Sequence, residues 1–506
     1  MRYIADLHVH SHFSRATSKA SHLRGLAAWA AVKGIDLVAT GDFTHPGWFS
    51  SLLDELIPAE PGFFRLKPDP LCDYAAILPE GLKPSKDPEE IRFLLSAEIS
   101  SIYKRGGKVR KVHNLLYAPD LDAARRINTA LSQLGNLKSD GRPILGLDSR
   151  DLLEIVLEVA PGAFLVPAHI WTPWFSLFGS KSGFESINEC FADLTPHVFA
   201  LETGLSSDPA MNRLISVLDA YTLISNSDCH SPAKLGREAN IFSTDFSFFA
   251  MQEALRKPYD NGKQRFSATV EFYPEEGKYH CDGHRKCGIN MEPGETRQHT
   301  GLCPICGKGV TVGVLHRVME LADRDMPVFP ANSPDVFSLI PLAEIVAELL
   351  GVGVNSKRVA SEYARLIATF GSEFKLLLEV PTASIKAKGA TLLAEAIERV
   401  RSNTVIRQPG YDGEFGRITV FNEGERAKFG GQRSLFSQTN SLQEKEKSKP
   451  RTLIEGLAKK TEQEAKTAIT EKLNIEQMQA VTSKAKTVLV QAGPGTGKTH
   501  TLVARV

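Results

Sequence analysis

Short apolar runs alternate with helical stretches through the first half of the chain. The runs are Tyr3–Ala5, Ile35–Thr40, Arg92–Ala97, Val109–Val112, Phe164–Pro167, Val198–Leu201 and Tyr221–Ser225. Runs this short, separated by helical periodicity, predict parallel βαβ units. Seven such units can close into a distorted (β/α)7 barrel, a smaller relative of the eight-fold barrel of about 250 residues. The expected fold class is therefore α/β, with the barrel over 1–249. From Val318 to Arg401 the apolar spacing turns helical, interrupted by the glycine-rich stretch Gly351–Asn355. That pattern predicts an α-helical domain over 316–405, followed by a short glycine-rich end segment over 406–429. Polar residues then dominate, which predicts a flexible linker over 430–470. Apolar character returns at Leu473 and continues to Val506.

A chain of 506 residues has room for several domains, and 42% hydrophobic residues can fill more than one core. Lys and Arg number 60 against 59 Asp and Glu, so a nucleic acid would have to meet local basic patches rather than an average field. No stretch approaches the roughly 20 apolar residues that cross a bilayer, which predicts a cytoplasmic protein. The seven cysteines are odd in number, and four of them lie between Cys281 and Cys306. That clustering favours a metal site in a reducing compartment over a disulfide framework.

Candidate chemistry concentrates where the runs end. Asp6, His8 and His10 follow the first run and Asp42 the second; Glu98, His113 and His169 end the next three. Glu202 ends the sixth, and Asp228 and His230 the seventh. Strand ends of such a barrel converge on one mouth. A lone strand-end histidine is ordinarily a hydrogen-bonded structural residue, but ligand-type residues at seven consecutive ends argue for a cluster of two or three divalent ions. Imidazole and carboxylate together suit Zn, Mn, Mg or Fe, and paired ions can promote phosphoryl displacement by water. A second site lies further on. Cys303 and Cys306 have the spacing of a zinc knuckle, and His284 and Cys287 repeat it, so His284 is favoured over Cys281 as fourth ligand of one structural zinc. This places a small zinc-ribbon-like domain over 268–315.

The segments Asp6–Ser11, Gly41-Asp42, Glu98, His113-Asn114, Ala168-His169 and Ser227–His230 resemble the motifs of the PHP (polymerase and histidinol phosphatase) phosphoesterases. The resemblance implies catalytic residues His8, His10, Glu98, His113, His169, Asp228 and His230. It also implies that Glu98 bridges two ions: one held with His8, His10 and Asp228, the other with His113 and His169. His230 would serve a third ion. The second motif departs from the usual Asp-His, and either Asp42 or His45 supplies the missing ligand. Barrel, knuckle and helical segment in this order, with Ala200–Pro209, Lys278–Cys287, Gly313–Val318 and Pro409–Gly416, resemble the endonuclease Q family of DNA-repair nucleases. That resemblance implies hydrolysis of DNA 5′ to deaminated bases (uracil, hypoxanthine, xanthine) or abasic sites. A phosphatase of small esters and a non-catalytic DNA-binding scaffold for a helicase are the alternatives.

DNA contacts are expected from the basic run containing Lys104, Arg105, Arg110 and Lys111. They are also expected from Trp171, Trp174 and Phe175, which either stack on a base or form a packed lid. Near the end, Val488–Thr499 reads as a strand followed by a phosphate-binding loop. Gly495 and Gly497 shape the loop, Lys498 reaches phosphates and Thr499 faces Mg²⁺. With Gln477 upstream, 471–506 resembles the opening of a UvrD-like helicase. It stops before any acidic strand or arginine finger, so a truncated fusion without ATP hydrolysis of its own is expected. Gln432, Leu435 and Phe436 resemble a bacterial sliding-clamp peptide, which makes the clamp and a helicase expected partners beside damaged DNA.

Overall fold

The computed structural model describes residues 1–422 and 424–425. Among these, eleven strands join one sheet around which helices pack. The first three predicted runs form strands, although the third continues past its expected end at Ala97 and carries Glu98 inside it. Strand Arg2–Asp6 pairs in parallel with Leu37–Ala39, and that strand pairs in parallel with Arg92–Arg105. Helix Leu23–Lys33 supplies the first crossover. Its fully buried Ala27, Ala28, Ala30 and Ala31 let the helix lie close to the sheet, and left-handed Gly34 ends it.

The fourth run departs from the prediction. It belongs to strand Lys108–Ala118, which turns straight back on Arg92–Arg105 as an antiparallel hairpin, paired from Leu95↔Ala118 to Arg105↔Lys108. Gly106 and Gly107, at φ 59° and 73°, make the turn. A two-residue hairpin turn needs positive φ at both positions, which two glycines supply without steric cost. The basic run is thus the hairpin tip. The fifth run, Phe164–Pro167, pairs antiparallel with Lys108–Ala118. Ala200–Glu202 and Thr222–Ile224 form a separate parallel pair.

The sheet also continues past residue 249. Strand Ala239–Ser243 runs antiparallel to both Arg2–Asp6 and Phe266–Glu271, and Asp335–Ser338 closes that edge in parallel with Phe266–Glu271. A strand therefore interrupts the stretch read as helical. Beyond it stand helices Leu342–Leu350, Lys357–Phe370, Thr382–Ala387 and Thr391–Arg401. Gly351 ends the first in the left-handed conformation, and the Ser356 side chain caps the second by accepting from Val359 N. The cysteine-rich segment carries a short hairpin, Asp282–His284 with Ile289–Met291, and a second hairpin pairs Ile406–Gln408 with Arg417–Thr419. No helix among the described residues is long and apolar enough to cross a membrane.

Candidate metal centre

Backbone contacts bring the two ends of the sequence motif set together. The Asp6 carboxylate accepts from Ser227 N and Gly236 N, Leu7 N donates to Asn226 Oδ1, and His10 N donates to Cys229 O. The loop carrying Asp228 is thereby laced to the residues carrying His8 and His10. His8 Nε2 lies 3.6 Å from Glu98 Oε2 and 3.5 Å from Asp228 Oδ1. His10 Nε2 lies 3.1 Å from both. The other oxygen, Glu98 Oε1, lies 2.6 Å from His113 Nδ1 and 3.1 Å from His169 Nε2. Two ligand-competent groups, His8–His10–Glu98–Asp228 and Glu98–His113–His169, therefore share one carboxylate.

This arrangement fits divalent cations. His8 Nε2, His10 Nε2 and Asp228 Oδ1 are buried without a hydrogen-bond partner, and His113 Nδ1 faces His169 Nε2 at 3.2 Å. Buried polar atoms are rarely left unpaired, and a cation in each group would satisfy them. The far nitrogens are held from behind: His8 Nδ1 by Glu202 at 3.0 Å and His10 Nδ1 by Asp42 at 3.0 Å. A carboxylate on Nδ1 fixes the tautomer that leaves a lone pair on Nε2. Burial favours neutral His8 and His10. Glu202 and Asp228 around His8, and Asp42 and Asp228 around His10, nevertheless raise both well above the usual histidine range. Protons and cations thus compete for these nitrogens. Burial, helped by His169 and Arg142, outweighs Glu98 at His113 and lowers it to about 4, so that imidazole stands ready as a neutral ligand. Asp42, His169 and Asp228 all hold positive φ, at 51°, 29° and 45°. Such conformations cost free energy for non-glycine residues and cluster at functional sites.

Several expected positions lie elsewhere. Asp42 is a supporting carboxylate, accepting from Ser11 N, Ser11 Oγ and Ser14 Oγ as well as facing His10. His45 caps helix Pro46–Glu55 by accepting from Trp48 N and stacks on Phe13, outside both groups. His230 sits beside them, its ring 4.7 Å from that of His10, with Nδ1 on Asp228 O. Two participants were not among the catalytic residues implied by the resemblance. Glu202, a predicted strand end within the Ala200–Pro209 stretch, accepts from His169 N and Asn226 Nδ2 and backs His8. Arg142 points a guanidinium at Glu98 Oε2 over 3.2 Å; the sequence around it gives no signal beyond a Gly-Arg-Pro loop.

In the cysteine-rich segment, His284, Cys287, Cys303 and Cys306 have ligand atoms within 4.8 Å of one another. Cys281 is outside this group. It is buried beside Tyr411, where its backbone amide donates to Gly410 O.

The expected DNA contacts divide. Lys104 is exposed, but Arg105 is held by Asp148 and Cys190 O. Arg110 donates to Gly183 O and lies over Phe184. Trp171 is fully buried, donating to Asn212 Oδ1 and packing on Phe178, so it belongs to the core. Trp174 is half-exposed, and Lys111 Nζ lies 5.0 Å over its ring. Phe175 packs against His113 at 4.8 Å. Lys108, Lys111, Lys181, Ser182 and Trp174 line one cavity of about 530 Å³. Trp174 also joins Tyr279 and Phe415 around another of about 480 Å³. The nucleotide-binding candidates Gln477, Gly495, Gly497, Lys498 and Thr499, and the clamp candidates Gln432, Leu435 and Phe436, lie outside the described residues.

Comparison with known proteins places these features in context. Residues 341–404 match the model of the MJ0043 C-terminal domain, and 473–506 match that of the UvrD/REP helicase N-terminal domain. The chain is 32% identical over 257 residues to uncharacterized protein MJ0043 of Methanocaldococcus jannaschii, which covers 49% of this chain but only 31% of that protein. It is 31% identical over 314 residues to uncharacterized protein YqxK of Bacillus subtilis, covering 61% and 73% respectively. The fold matches the lesion-specific endonuclease PfuEndoQ of Pyrococcus furiosus with a TM-score of 0.71 at 32% identity, over 84% of this chain and 96% of that one. An endonuclease Q bound to a 27-mer duplex with an abasic lesion matches at a TM-score of 0.69 and 32% identity, over 84% and 98%. On sequence identity and nearly complete coverage of those endonucleases, the chain belongs to the endonuclease Q family.

Proposed function

We propose that the chain is a metal-dependent DNA-repair endonuclease that hydrolyses the phosphodiester 5′ to a deaminated base (uracil, hypoxanthine or xanthine) or an abasic site. The observation that carries this reading is the carboxylate shared between two ligand groups, with unpaired buried nitrogens aimed at the gaps, in a chain of this family. His8, His10, Glu98 and Asp228 would hold one divalent ion, and Glu98, His113 and His169 a second. His230 is the candidate for a third. Bound there, such ions supply Lewis-acid activation of water and neutralise charge on phosphoryl oxygens. The protein's own contribution is placement: Glu202 and Asp42 orient the imidazoles, and buried surroundings keep competing donors out. We read the sheet and its helices as a distorted PHP barrel. The Cys287–Cys303–Cys306–His284 group is read as a closed structural zinc site, because three thiolates and an imidazole leave no open position.

DNA would track the basic hairpin. Lys108, Lys111 and Lys181 offer phosphate contacts, and Trp174 offers a stacking face next to them. Extruding a mismatched base costs less than extruding a paired one, and an abasic site has no base to unstack, which suits a lesion-selective enzyme. The helicase-like segment and the clamp-like peptide imply a replication or repair partner. Unchanged clamp affinity after alanine replacement of Leu435 and Phe436 would remove the clamp from that list.

The test is incubation of end-labelled duplex carrying one uracil, hypoxanthine or abasic site with Mn²⁺, Mg²⁺ or Zn²⁺. A single metal-dependent cut 5′ to the lesion, absent on normal DNA, is the expected result. Hydrolysis of small phosphate esters with intact DNA would replace the reading with a phosphatase.

A further inference from the structure

The segment Asp140–Pro143 is built to deliver one cation to the cluster. Gly141 N donates to Phe13 O, and Arg142 N donates to Asp140 Oδ1, which also accepts from Arg15 N. Pro143 O then accepts from Ser100 N, where the chain joins the Arg92–Arg105 strand at Ser100↔Ile144. Position 141 admits only glycine: a Cβ there would lie 2.3 Å from Ser14 Oγ and 2.4 Å from Asp42 Oδ2. The loop is thus pressed against the carboxylate that orients His10, and Arg142 leaves it aimed at Glu98.

Arg142 uses one guanidinium nitrogen on Glu98 Oε2, at 3.2 Å, and about 29% of its side chain is exposed. Among the described residues Glu98 is the one acceptor for its guanidinium, so further N–H donors of this part-exposed side chain are available to a ligand. The charges around it do not balance. With two divalent ions in the cluster, the ligand carboxylates Glu98 and Asp228 and the carboxylates of Asp42 and Glu202 behind the imidazoles would just offset their charge, and Arg142 adds one unmatched positive charge at hydrogen-bond distance from the shared ligand. Such an arrangement is favourable when an anion lies between guanidinium and cations. A guanidinium also matches phosphate oxygens bidentately.

We infer that Arg142 and the metal cluster together form the subsite for the scissile phosphate, with Arg142 a catalytic residue that binds a non-bridging phosphate oxygen. This assignment rests on the phosphoesterase reading of the cluster but not on which DNA lesion is cut.

Inorganic phosphate is the probe. It is titrated calorimetrically into metal-loaded full-length wild type, Arg142→Lys and Arg142→Ala, with metal content measured on the same samples. Arg142→Ala is expected to keep its ions and to weaken phosphate binding by about tenfold to a hundredfold, the range for a charge-assisted hydrogen bond. Arg142→Lys should fall between, and added guanidinium ion should recover part of the affinity of the alanine variant. Wild-type phosphate affinity in Arg142→Ala overturns the inference. So does loss of ions whose replacement alone restores phosphate binding, because Arg142 would then only position Glu98. Cleavage of an abasic duplex is followed in parallel. If wild type fails to cut while phosphate binding still depends on Arg142, the endonuclease reading falls and this one stands. If Arg142→Ala cuts as fast as wild type, this one falls.

Discussion

Replacing Lys33 by Met should be among the most destabilising single changes in the molecule. Lys33 ends helix Leu23–Lys33, and its Nζ lies 2.6 Å from Glu373 Oε2 with the two side chains only 9% and 6% exposed. Glu373 also accepts from Tyr363 OH at 2.6 Å and from Leu342 N at 3.0 Å. One carboxylate thus ties the first crossover helix to the region that matches the MJ0043 C-terminal domain. At 2.6 Å and an effective dielectric of 20, the gross attraction is about 6 kcal/mol, most of it offset by desolvation of both ions. Removing the lysine leaves the desolvation of Glu373 without its partner, which costs about 3–5 kcal/mol. The double variant Lys33→Met, Glu373→Gln should recover most of that loss, because the neutral amide oxygen can still accept from Leu342 N while its NH2 donates to the Tyr363 hydroxyl. Acidity provides an internal check. Burial opposes ionisation of Glu373, but Lys33 and the Tyr363 hydroxyl hold its carboxyl below the usual range. In wild type this stabilisation is present above the ordinary carboxylate pKa and is lost as pH falls through the depressed value. In Lys33→Met the uncompensated carboxyl shifts upward instead, so lowering the pH relieves the defect. Urea unfolding followed by circular dichroism at pH 7.5 and pH 4 measures both effects. A penalty below about 1 kcal/mol at pH 7.5, or one that grows on acidification, would refute the reasoning.

Other expectations follow from supporting groups. Asp42→Asn should weaken metal binding by about 10–100-fold while leaving the fold intact, because it removes the carboxylate behind His10; competition with a fluorescent chelator reads this directly. Cys287→Ser should release zinc and lower the melting temperature, whereas Cys281→Ser should retain stoichiometric zinc by mass spectrometry of the intact protein. Glu271 is fully buried and raised to about 7, chiefly by desolvation. The native state therefore holds its proton more tightly than the unfolded chain. The resulting stability is full below the ordinary glutamate pKa and declines as pH rises toward 7. Glu271→Gln keeps an acceptor for Ser225 Oγ and should stabilise the protein at pH 8 but not at pH 4.5, as seen in the pH profile of its melting temperature.

The ligand cluster was legible because its residues have a one-dimensional signature. A ligand-type side chain at the end of an apolar run needs no knowledge of pairing to be placed at the mouth of a sheet, which holds for His8, His10, His169 and Asp228; Glu98 and His113 sit inside the paired strands Arg92–Arg105 and Lys108–Ala118, yet all six converge. What failed was what depends on pairing. The run Val109–Val112 looks the same whether it is reached by a crossover helix or by two glycines; only the register with Arg92–Arg105 tells them apart, and it makes the basic run a hairpin tip. Trp171 and Trp174 sit three residues apart in one aromatic loop, yet one is sealed against Asn212 and the other half-exposed, because the loop folds back so that Phe178 N reaches Ile170 O. Arg142 is the sharpest case. Its role depends on Gly141 fitting against Ser14 and Asp42, residues about a hundred positions away, and on Pro143 meeting Ser100. Side chains that bind a cation must be of a few kinds and so announce themselves in sequence. Side chains that complete the charge around it are chosen by where the backbone can approach, and that is visible only once the chain is folded.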